Sequence, residues 1–162
     1  NAFGGKKKIV RIMPNTPALV GEAVTAICPN ANITDSEKQE IVELIASFGL
    51  AQIVSEKIMD AVIAVSGSSP AYVFMFIEAM ADAAVAEGMP RVQAYQFAAQ
   101  SVLGSAKMVL ETGKHPGELK DMVCSPGGTT IEGLAALEEN GFRGAIIKAC
   151  DANFEKNKKL KG

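Results

Sequence analysis

The sequence contains no tryptophan, a single histidine and only three cysteines in 162 residues. The cysteines Cys28, Cys124 and Cys150 lie far apart and form no Cys-x-x-Cys pair, and His115 is the one histidine that could join them. Because a zinc site takes about four Cys and His ligands at characteristic spacings, no metal site is predicted. Three reduced thiols in a cytoplasmic protein are the expected state.

The charges of the chain are nearly balanced, with 16 Lys and Arg against 18 Asp and Glu and a net charge of -2. Proteins that bind nucleic acid by neutralising phosphates carry an excess of basic residues, so nucleic acid is not an expected partner. Hydrophobic residues make up 48% and charged residues 21%, which excludes a disordered chain. The length fits one globular domain with room for part of a second.

Neither apolar segment of the chain is predicted to enter a membrane. The basic cluster at residues 6–8 precedes a short apolar run that Arg11 interrupts, so it is not a signal peptide. The longest apolar stretch, residues 71–86, is shorter than the roughly 20 residues of a span. It also contains Glu78 and Asp82, each of which would cost about 2.5–3.5 kcal/mol on insertion. A buried helix of a soluble protein is predicted instead, with no membrane partner.

This helix at residues 71–86 is apolar on nearly all sides. A helix with that pattern must be covered all round, and only about a hundred residues of helix accompany it here. We therefore expect a second subunit to supply cover through a large interface. The alternative is a central core helix in a monomer.

An α/β pattern precedes residue 57 and only helices follow it. The first part predicts strands at residues 9–12, 24–27 and 50–54, with an extended loop at residues 13–17 after the first strand. Thr34 and Glu37 form a capping box that begins a helix, and Gly49 is placed as its left-handed C-cap. The apolar stripe of that helix is Ile41, Ile45 and Phe48.

The second part predicts helices that glycine and proline separate. They cover residues 57–65, 70–87, 90–113, 116–123, 130–139 and 142–159. The third of them carries an apolar face of Val92, Tyr95, Ala99, Val102, Ala106 and Val109.

The segment Ser125–Glu132 is the most informative of the chain. Its two adjacent glycines let backbone approach a ligand closely. Thr129 and Glu132 are predicted to form a capping box, which places a helix N-terminus directly after the glycines. Free amides and the helix dipole at that point favour an anion, and the Ser125 and Thr130 hydroxyls flank it. The loop has no Lys or Arg for a phosphate, so a small carboxylate is the natural ligand; an ordinary capped turn is the alternative.

Other candidate residues carry weaker signals. Glu78 and Asp82 are spaced as a pair on one helix face, where contacts to a partner helix are more usual than acid–base catalysis. His115 precedes Pro116 at a helix start, which predicts a surface or capping role. The sequence has no Gly-x-Gly-x-x-Gly and therefore no complete dinucleotide-binding fingerprint.

Four motifs in register resemble one family, the pyrroline-5-carboxylate reductases. The motifs are Arg11-Ile12-Met13-Pro14-Asn15-Thr16-Pro17, Ser66-Gly67-Ser68-Ser69-Pro70-Ala71-Tyr72, His115-Pro116-Gly117-Glu118-Leu119-Lys120-Asp121 and the loop from Ser125 to Ile131. The resemblance implies a mainly α chain, in which an all-helical dimerisation domain at residues 58–162 follows a short α/β remnant of a Rossmann domain at residues 1–57. The glycine fingerprint of the family is absent, so the chain resembles a fragment and is expected to be inactive alone.

The resemblance also implies site residues and partners. Ser125 and the amides of Gly127, Gly128 and Thr129 would hold the substrate carboxylate, and Thr130, the implied catalytic residue, would donate to the ring nitrogen. The nicotinamide of NADPH or NADH would lie beside Met13, Pro14 and Asn15. The implied reaction reduces 1-pyrroline-5-carboxylate to L-proline in a cytoplasmic homodimer or higher oligomer.

Two other hypotheses are compatible with the sequence. One is a non-catalytic helical dimer or carboxylate-binding module. The other is a related dehydrogenase that combines a Rossmann domain with a helical domain and acts on hydroxy acids, although the Ser125–Thr130 loop fits it less well.

Overall fold

The computed structural model describes residues 5–161 and has the predicted mainly α architecture with a short α/β segment first. The strands are β1 (Val10–Met13), β2 (Ala23–Pro29) and β3 (Gly49–Ile53). The α-helices are α1 (Asp35–Ala46), α2 (Met59–Val62), α3 (Ser69–Ala86), α4 (Arg91–Thr112), α5 (Pro116–Val123), α6 (Thr129–Glu139) and α7 (Phe142–Lys161).

The chain divides into two compact units. In the described range, unit 1 comprises residues 5–72 and 149–161, and unit 2 comprises residues 73–148. The predicted domain boundary between residues 57 and 58 stays a prediction.

Unit 1 is built on a three-stranded sheet of order β1-β2-β3. β1 pairs antiparallel with β2, and β2 pairs parallel with β3 after the chain crosses over through α1. α1 packs against β3 and β2. Burial is complete at Thr25 and nearly so at Ile27, while Ala23 and Ile45 are buried as well. This packed βαβ arrangement is the one predicted for the first part of the chain.

The start of α1 is confirmed and its predicted end is wrong. The Glu37 N–H donates to Thr34 Oγ1 at 3.3 Å and the Thr34 N–H donates to Glu37 Oε2 at 2.9 Å, which completes the capping box. The C-cap, however, is Ser47 in a right-handed conformation. Gly49 instead begins β3 with φ +146°, where an added Cβ would lie 2.1 Å from the Ala23 carbonyl oxygen. Close strand pairing, rather than a helix cap, requires this glycine.

Two further local predictions need correction. The loop after β1 is extended only as far as Asn15, because residues Thr16–Val20 form a 3-10 helix with Pro17 in its first turn. The predicted helix end at Ser66–Pro70 is confirmed only in part. A π turn at Ile63–Gly67 extends the helical backbone two residues beyond the predicted end, a bend at Ser68 follows, and α3 begins at Ser69. Proline is accepted at the first turn of α3 because it lacks only an N–H that would have no partner there.

Unit 2 consists of helices with little buried surface. The predicted bounds of α4, α5 and α6 are confirmed to within two residues, and Gly113 caps α4 with φ +65°. Within residues 73–148, all of them described, the buried apolar residues are Ala81, Ala94 and Ala98. The predicted apolar face of α4 is not buried within the chain, since Val92 is 72% and Tyr95 41% exposed.

The segment Glu56–Ala86 is long and apolar enough to cross a membrane by length and composition, with a mean hydropathy of 1.4 in its most apolar window. Only 6% of that window is buried. The prediction that residues 71–86 are buried is therefore wrong for the single chain. Phe74 and Met75, for example, are 61% and 72% exposed.

Candidate functional site

The first candidate loop, Met13–Asn15, lies in unit 1 directly after the carboxyl end of β1. Asn15 is half-buried, and its side chain holds the loop in place. Its Oδ1 accepts a hydrogen bond from the Val24 N–H at 3.0 Å, and its Nδ2 donates to the Ser66 carbonyl at 3.1 Å. The loop is thus fixed to β2 and to the π turn at once.

The rest of this loop offers an apolar surface to a ligand. Pro14 is exposed and has no N–H, while Met13 is half-buried. A Cβ at Gly67 would approach Met13 Cε to 3.3 Å, so the glycine gives the methionine side chain its room. A flat ring fits such a surface. The loop follows the carboxyl end of β1 and, because β1 runs antiparallel to β2, lies beside the start of β2.

The second candidate loop, Ser125–Gly128, lies in unit 2 between α5 and α6. The Gly128 N–H donates to the Ser125 carbonyl at 3.0 Å. Pro126 occupies the second position of this turn, and Gly127, at the third, has φ +65°. These are the features of a type II turn, which needs proline and glycine in that order.

The predicted capping box at the start of α6 is wrong. Thr129 is already the first helical residue, and the N-cap is Gly128, which has no side chain to cap the helix. The spacing of Thr129 and Glu132 was therefore misleading by one residue. A Cβ at Gly128 would lie 2.3 Å from Ser125 Oγ, so the serine hydroxyl occupies the space beside the N-cap.

This arrangement leaves hydrogen-bonding groups for a ligand. The first amides of a helix have no partner within the helix, and here no side chain caps them. Within residues 5–161, neither Ser125 Oγ nor Thr130 Oγ1 has a hydrogen-bond partner. Two hydroxyls and an uncapped helix N-terminus together suit an anion such as a carboxylate.

The charges in this part of unit 2 are already compensated. Lys120 pairs with Asp121, and this carboxylate raises the pKa of Lys120. Arg143 Nε donates to Glu138 Oε1 at 2.6 Å. An anion at the loop would therefore be held by amides and hydroxyls more than by a free cation.

The remaining predicted residues have local roles. His115 caps α5, because its Nδ1 accepts from the Gly117 N–H at 3.0 Å, as predicted. Asp82 forms an ion pair with Arg91, whose guanidinium lies 5.4 Å from the centre of the Tyr95 ring. Glu78 is exposed.

The cysteines and the residues able to bind a metal complete the description of the candidate side chains. All three thiols are free, as expected. Burial, assisted by Glu56, raises the pKa of the Cys28 thiol, which makes it a poor nucleophile at neutral pH. Residues 5–161 contain no group of His, Cys, Asp and Glu able to hold a metal ion.

Sequence reasoning missed the polar contacts that join distant parts of unit 1. Asn157 Nδ2 donates to Asp60 Oδ1 at 3.0 Å, and Asn153 Nδ2 donates to Ser68 Oγ. The Tyr72 hydroxyl donates to the Ala149 carbonyl at 3.4 Å. No local sequence pattern predicts such pairs, since the two partners of each bond are more than seventy residues apart.

Comparisons with known proteins identify relatives over almost the whole chain. Among curated proteins, the pyrroline-5-carboxylate reductase of Escherichia coli K12 is 60% identical over 159 residues, which cover 98% of this chain and 59% of that protein. The pyrroline-5-carboxylate reductase of Methanosarcina acetivorans is 52% identical over 153 residues, covering 94% and 57%. The chain thus spans about three fifths of the length of the curated relatives it matches.

Solved structures agree with these relatives. A pyrroline-5-carboxylate reductase from Coxiella burnetii has a TM-score of 0.92 and 37% identity, with 97% of this chain and 58% of that chain covered. The pyrroline carboxylate reductase of Plasmodium falciparum, solved with NADP bound, has a TM-score of 0.89 and 39% identity, with 98% and 64% covered.

The family comparison matches residues 56–160 to the family described as pyrroline-5-carboxylate reductase dimerisation. This match includes α2 to α7 and the Ser125–Gly128 turn. It confirms the resemblance drawn from the four sequence motifs. The chain belongs to the pyrroline-5-carboxylate reductase family.

Proposed function

We propose that the full-length protein carrying this sequence reduces 1-pyrroline-5-carboxylate to L-proline with NADPH or NADH. The observation that carries the proposal is the Ser125–Gly128 turn, where two unpartnered hydroxyls flank an uncapped helix N-terminus. The substrate carries a carboxylate, which is the anion that such a turn suits. The 60% identity to the Escherichia coli reductase supports the choice of substrate.

Each residue of the turn has a distinct task in this proposal. The Ser125 hydroxyl and the amides of Gly127 and Thr129 hold the substrate carboxylate. The Gly128 amide is engaged with the Ser125 carbonyl, so Gly128 serves mainly by leaving space for the serine hydroxyl. Thr130, half-buried one residue into α6, orients the ring nitrogen. A neutral hydroxyl is a weak acid, so Thr130 relays a proton from water to that nitrogen.

The residues after β1 fit the cofactor side of the reaction. Met13 and Pro14 present the apolar surface against which the nicotinamide lies. When bound, the reduced nicotinamide supplies the hydride that the C=N carbon accepts. The main cofactor site lies outside this chain, in the part of a Rossmann-type domain of which residues 1–57 are the C-terminal end. The parallel β2-α1-β3 unit supports that assignment, and the Plasmodium falciparum relative was solved with NADP.

We further propose that the protein is a cytoplasmic homodimer, or a higher oligomer built from it, through residues 58–162. Unit 2 supports this, because its exposed apolar side chains need cover that its own helices do not give. Neither nucleic acid nor membrane is a proposed partner.

The test is reductase activity of the full-length gene product, followed as pyrroline-5-carboxylate-dependent oxidation of NADPH and of NADH. Thr130→Ala is expected to lower kcat by about a hundredfold, the usual contribution of a positioned proton-transfer group. Thr129→Ala is the matched control, because it removes the adjacent hydroxyl and leaves the proposed amide contact intact.

The outcomes separate the alternatives. Equal losses of kcat in the two variants would show that Thr130 has no specific role, while the proposed reductase activity would stand. Absence of turnover with either nucleotide would instead favour the non-catalytic helical dimer or carboxylate-binding module. Residues 1–162 alone are expected to show no turnover, and proline formation by that piece would contradict the proposed place of the cofactor site.

A further inference from the structure

Both polar atoms of the Asn15 side chain bind backbone groups of unit 1. Its Oδ1 accepts from the Val24 N–H at 3.0 Å, and its Nδ2 donates to the Ser66 carbonyl at 3.1 Å. Loss of either bond would leave a backbone group without this partner, and an unpaired buried backbone group is costly. The residue therefore differs from Met13 and Pro14, which expose apolar atoms.

The Ser66 carbonyl needs the Asn15 side chain for a reason visible in the sequence. In an α-helix this carbonyl would accept from the N–H of residue 70, but residue 70 is proline and has none. The chain forms a π turn here, with the Ser68 N–H donating to the Ile63 carbonyl at 3.2 Å. The donor that the helix lacks comes from Asn15.

The Val24 N–H is the other end of the bridge. Backbone pairing of β1 with β2 ends where Met13 faces Ala26. Asn15 Oδ1 continues this pairing through a side chain, because it binds Val24 two residues further along β2. One amide thus joins the loop after β1, the sheet and the π turn.

We propose that Asn15 is a positioning residue, which acts on the nicotinamide through the Met13–Pro14 surface that it fixes against the π turn. Gly67 completes the arrangement, since its missing Cβ leaves Met13 Cε the space to lie against the turn. This inference rests on the proposed function only in so far as Met13 and Pro14 face the nicotinamide. The bridging role of Asn15 stands on the hydrogen bonds themselves.

The same sheet contains a matched control. Asn30 bridges the opposite end of the β1–β2 pair, where its Oδ1 accepts from the Ile9 N–H at 3.2 Å and its Nδ2 donates to the Lys7 carbonyl at 2.8 Å. Asn30→Ala therefore removes the same kind of side chain and two similar bonds, together with a third from the Asn32 N–H at 3.3 Å, but leaves the Met13–Pro14 loop untouched.

The experiment uses the full-length protein with two nucleotide probes. Dissociation constants are measured for NADPH and for adenosine 2′,5′-bisphosphate, which has the adenosine end of the cofactor without the nicotinamide. Asn15→Ala is expected to weaken NADPH about tenfold, the effect of one or two lost hydrogen bonds, and to leave the bisphosphate unchanged. Asn30→Ala should leave both constants unchanged. Equal weakening of both probes in Asn15→Ala, or the same NADPH loss in Asn30→Ala, would overturn the proposal.

Amide hydrogen exchange tests the bridge independently of any activity. Asn15→Ala should speed exchange at residues 63–68 as well as at Val24, and Asn30→Ala should not. Unchanged exchange at residues 63–68 would overturn the proposal. If the wild-type protein bound no nicotinamide nucleotide and turned nothing over, the proposed function would fail, and the exchange result would still decide whether Asn15 holds the π turn.

A double-mutant cycle identifies the partner of the amide. Pro70→Ala supplies an N–H for the Ser66 carbonyl, so Asn15→Ala should speed exchange at residues 63–68 less in that background than in the wild type. An equal effect in both backgrounds would show that the Ser66 bond is not the one that matters and would overturn this part of the proposal.

Discussion

The two units of the chain treat their apolar side chains in opposite ways. Unit 1 buries Ile27 and Met59 almost completely, at 1% and 0% exposure. Unit 2 buries three alanines, while its large side chains, such as Met75 at 72% exposure, face outwards. An apolar surface of that kind marks an interface. Unit 1 thus has a core of its own, whereas the helices of unit 2 leave their large apolar side chains uncovered within the chain.

The two candidate loops differ in the same sense. Asn15 spends both polar atoms within unit 1. Ser125 and Thr130 in unit 2 have hydroxyls without a partner in the described residues. The hydrogen bonds of Asn15 fix the position of the first loop, whereas the unpaired hydroxyls of the second loop are available to bind a ligand.

The largest expected effect comes from Gly49→Ala, which attacks the core of unit 1. The new Cβ would meet the Ala23 carbonyl oxygen at 2.1 Å, a backbone atom that cannot move aside. We expect the free energy of unfolding, from urea titration, to fall by about 3 kcal/mol or more.

Gly21→Ala is the control for that change. Gly21 also has a positive φ, +77°, but nothing lies within 4 Å of its added Cβ. It should cost only the strain of the backbone conformation, about 1–2 kcal/mol. Similar losses at the two glycines would mean that the close approach of β3 to Ala23 is not a strong constraint.

The next effect tests whether unit 2 is covered by a second copy. Met75→Glu places a charge on the exposed apolar face of α3, and a charge buried without a partner is costly. Sedimentation equilibrium of the full-length protein should show that the dissociation constant of the dimer rises by about a hundredfold or more.

Leu44→Glu provides the comparison on α1, since Leu44 is 69% exposed and belongs to unit 1. It should leave the association constant unchanged. If Leu44→Glu dissociated the dimer and Met75→Glu did not, the interface would lie on unit 1 and not on unit 2.

A smaller effect is expected at the Ser125–Gly128 turn. Gly128 has φ -82°, which any residue can adopt, so the obstacle to Gly128→Ala is Ser125 Oγ at 2.3 Å from the new Cβ. The substitution should rotate the hydroxyl away and lower kcat/KM for pyrroline-5-carboxylate about tenfold, as for one lost hydrogen bond to a charged ligand. Gly133→Ala in α6, where the Cβ meets open space, should leave kcat/KM unchanged.

The smallest effect concerns pH and the start of α1. Hydrogen bonds from Lys8 and Thr34 lower the pKa of Glu37 from 4.5 to about 2. A lowered pKa stabilises the fold above pH 4.5, and this contribution is lost as the pH falls towards about 2. The difference in unfolding free energy between wild type and Glu37→Gln should therefore shrink across that interval. A difference that stays constant across that interval would contradict the prediction.

Sequence reasoning succeeded where the cause is local. The Thr34–Glu37 capping box lies within four residues, and glycine with φ > 0 ends α4 at Gly113, as expected. These features depend on neighbours in the chain, so a pattern of residue types is enough to predict them.

It failed where a distant contact decides. Gly49 looked like a helix cap, but its neighbour is Ala23 on the adjacent strand. The first helix was expected to end before Ser66, but a π turn extends to Gly67, and Asn15, from far along the chain, donates to the Ser66 carbonyl there. The roles of the candidate site residues came from the family resemblance, since hydroxyls and glycines carry no signature of their ligand.

The strand order β1-β2-β3 leaves one long side of β1 without a neighbouring strand in residues 5–161. Unpaired backbone groups along such an edge can pair with a strand of another molecule, and the exposed side chains of Ile9 and Ile12 would stabilise that pairing. The lysines just before β1, Lys6 and Lys7, are exposed and supply the like charge that keeps two such edges apart. Solutions of the chain as printed should therefore become more prone to aggregate at high salt, where this repulsion is screened.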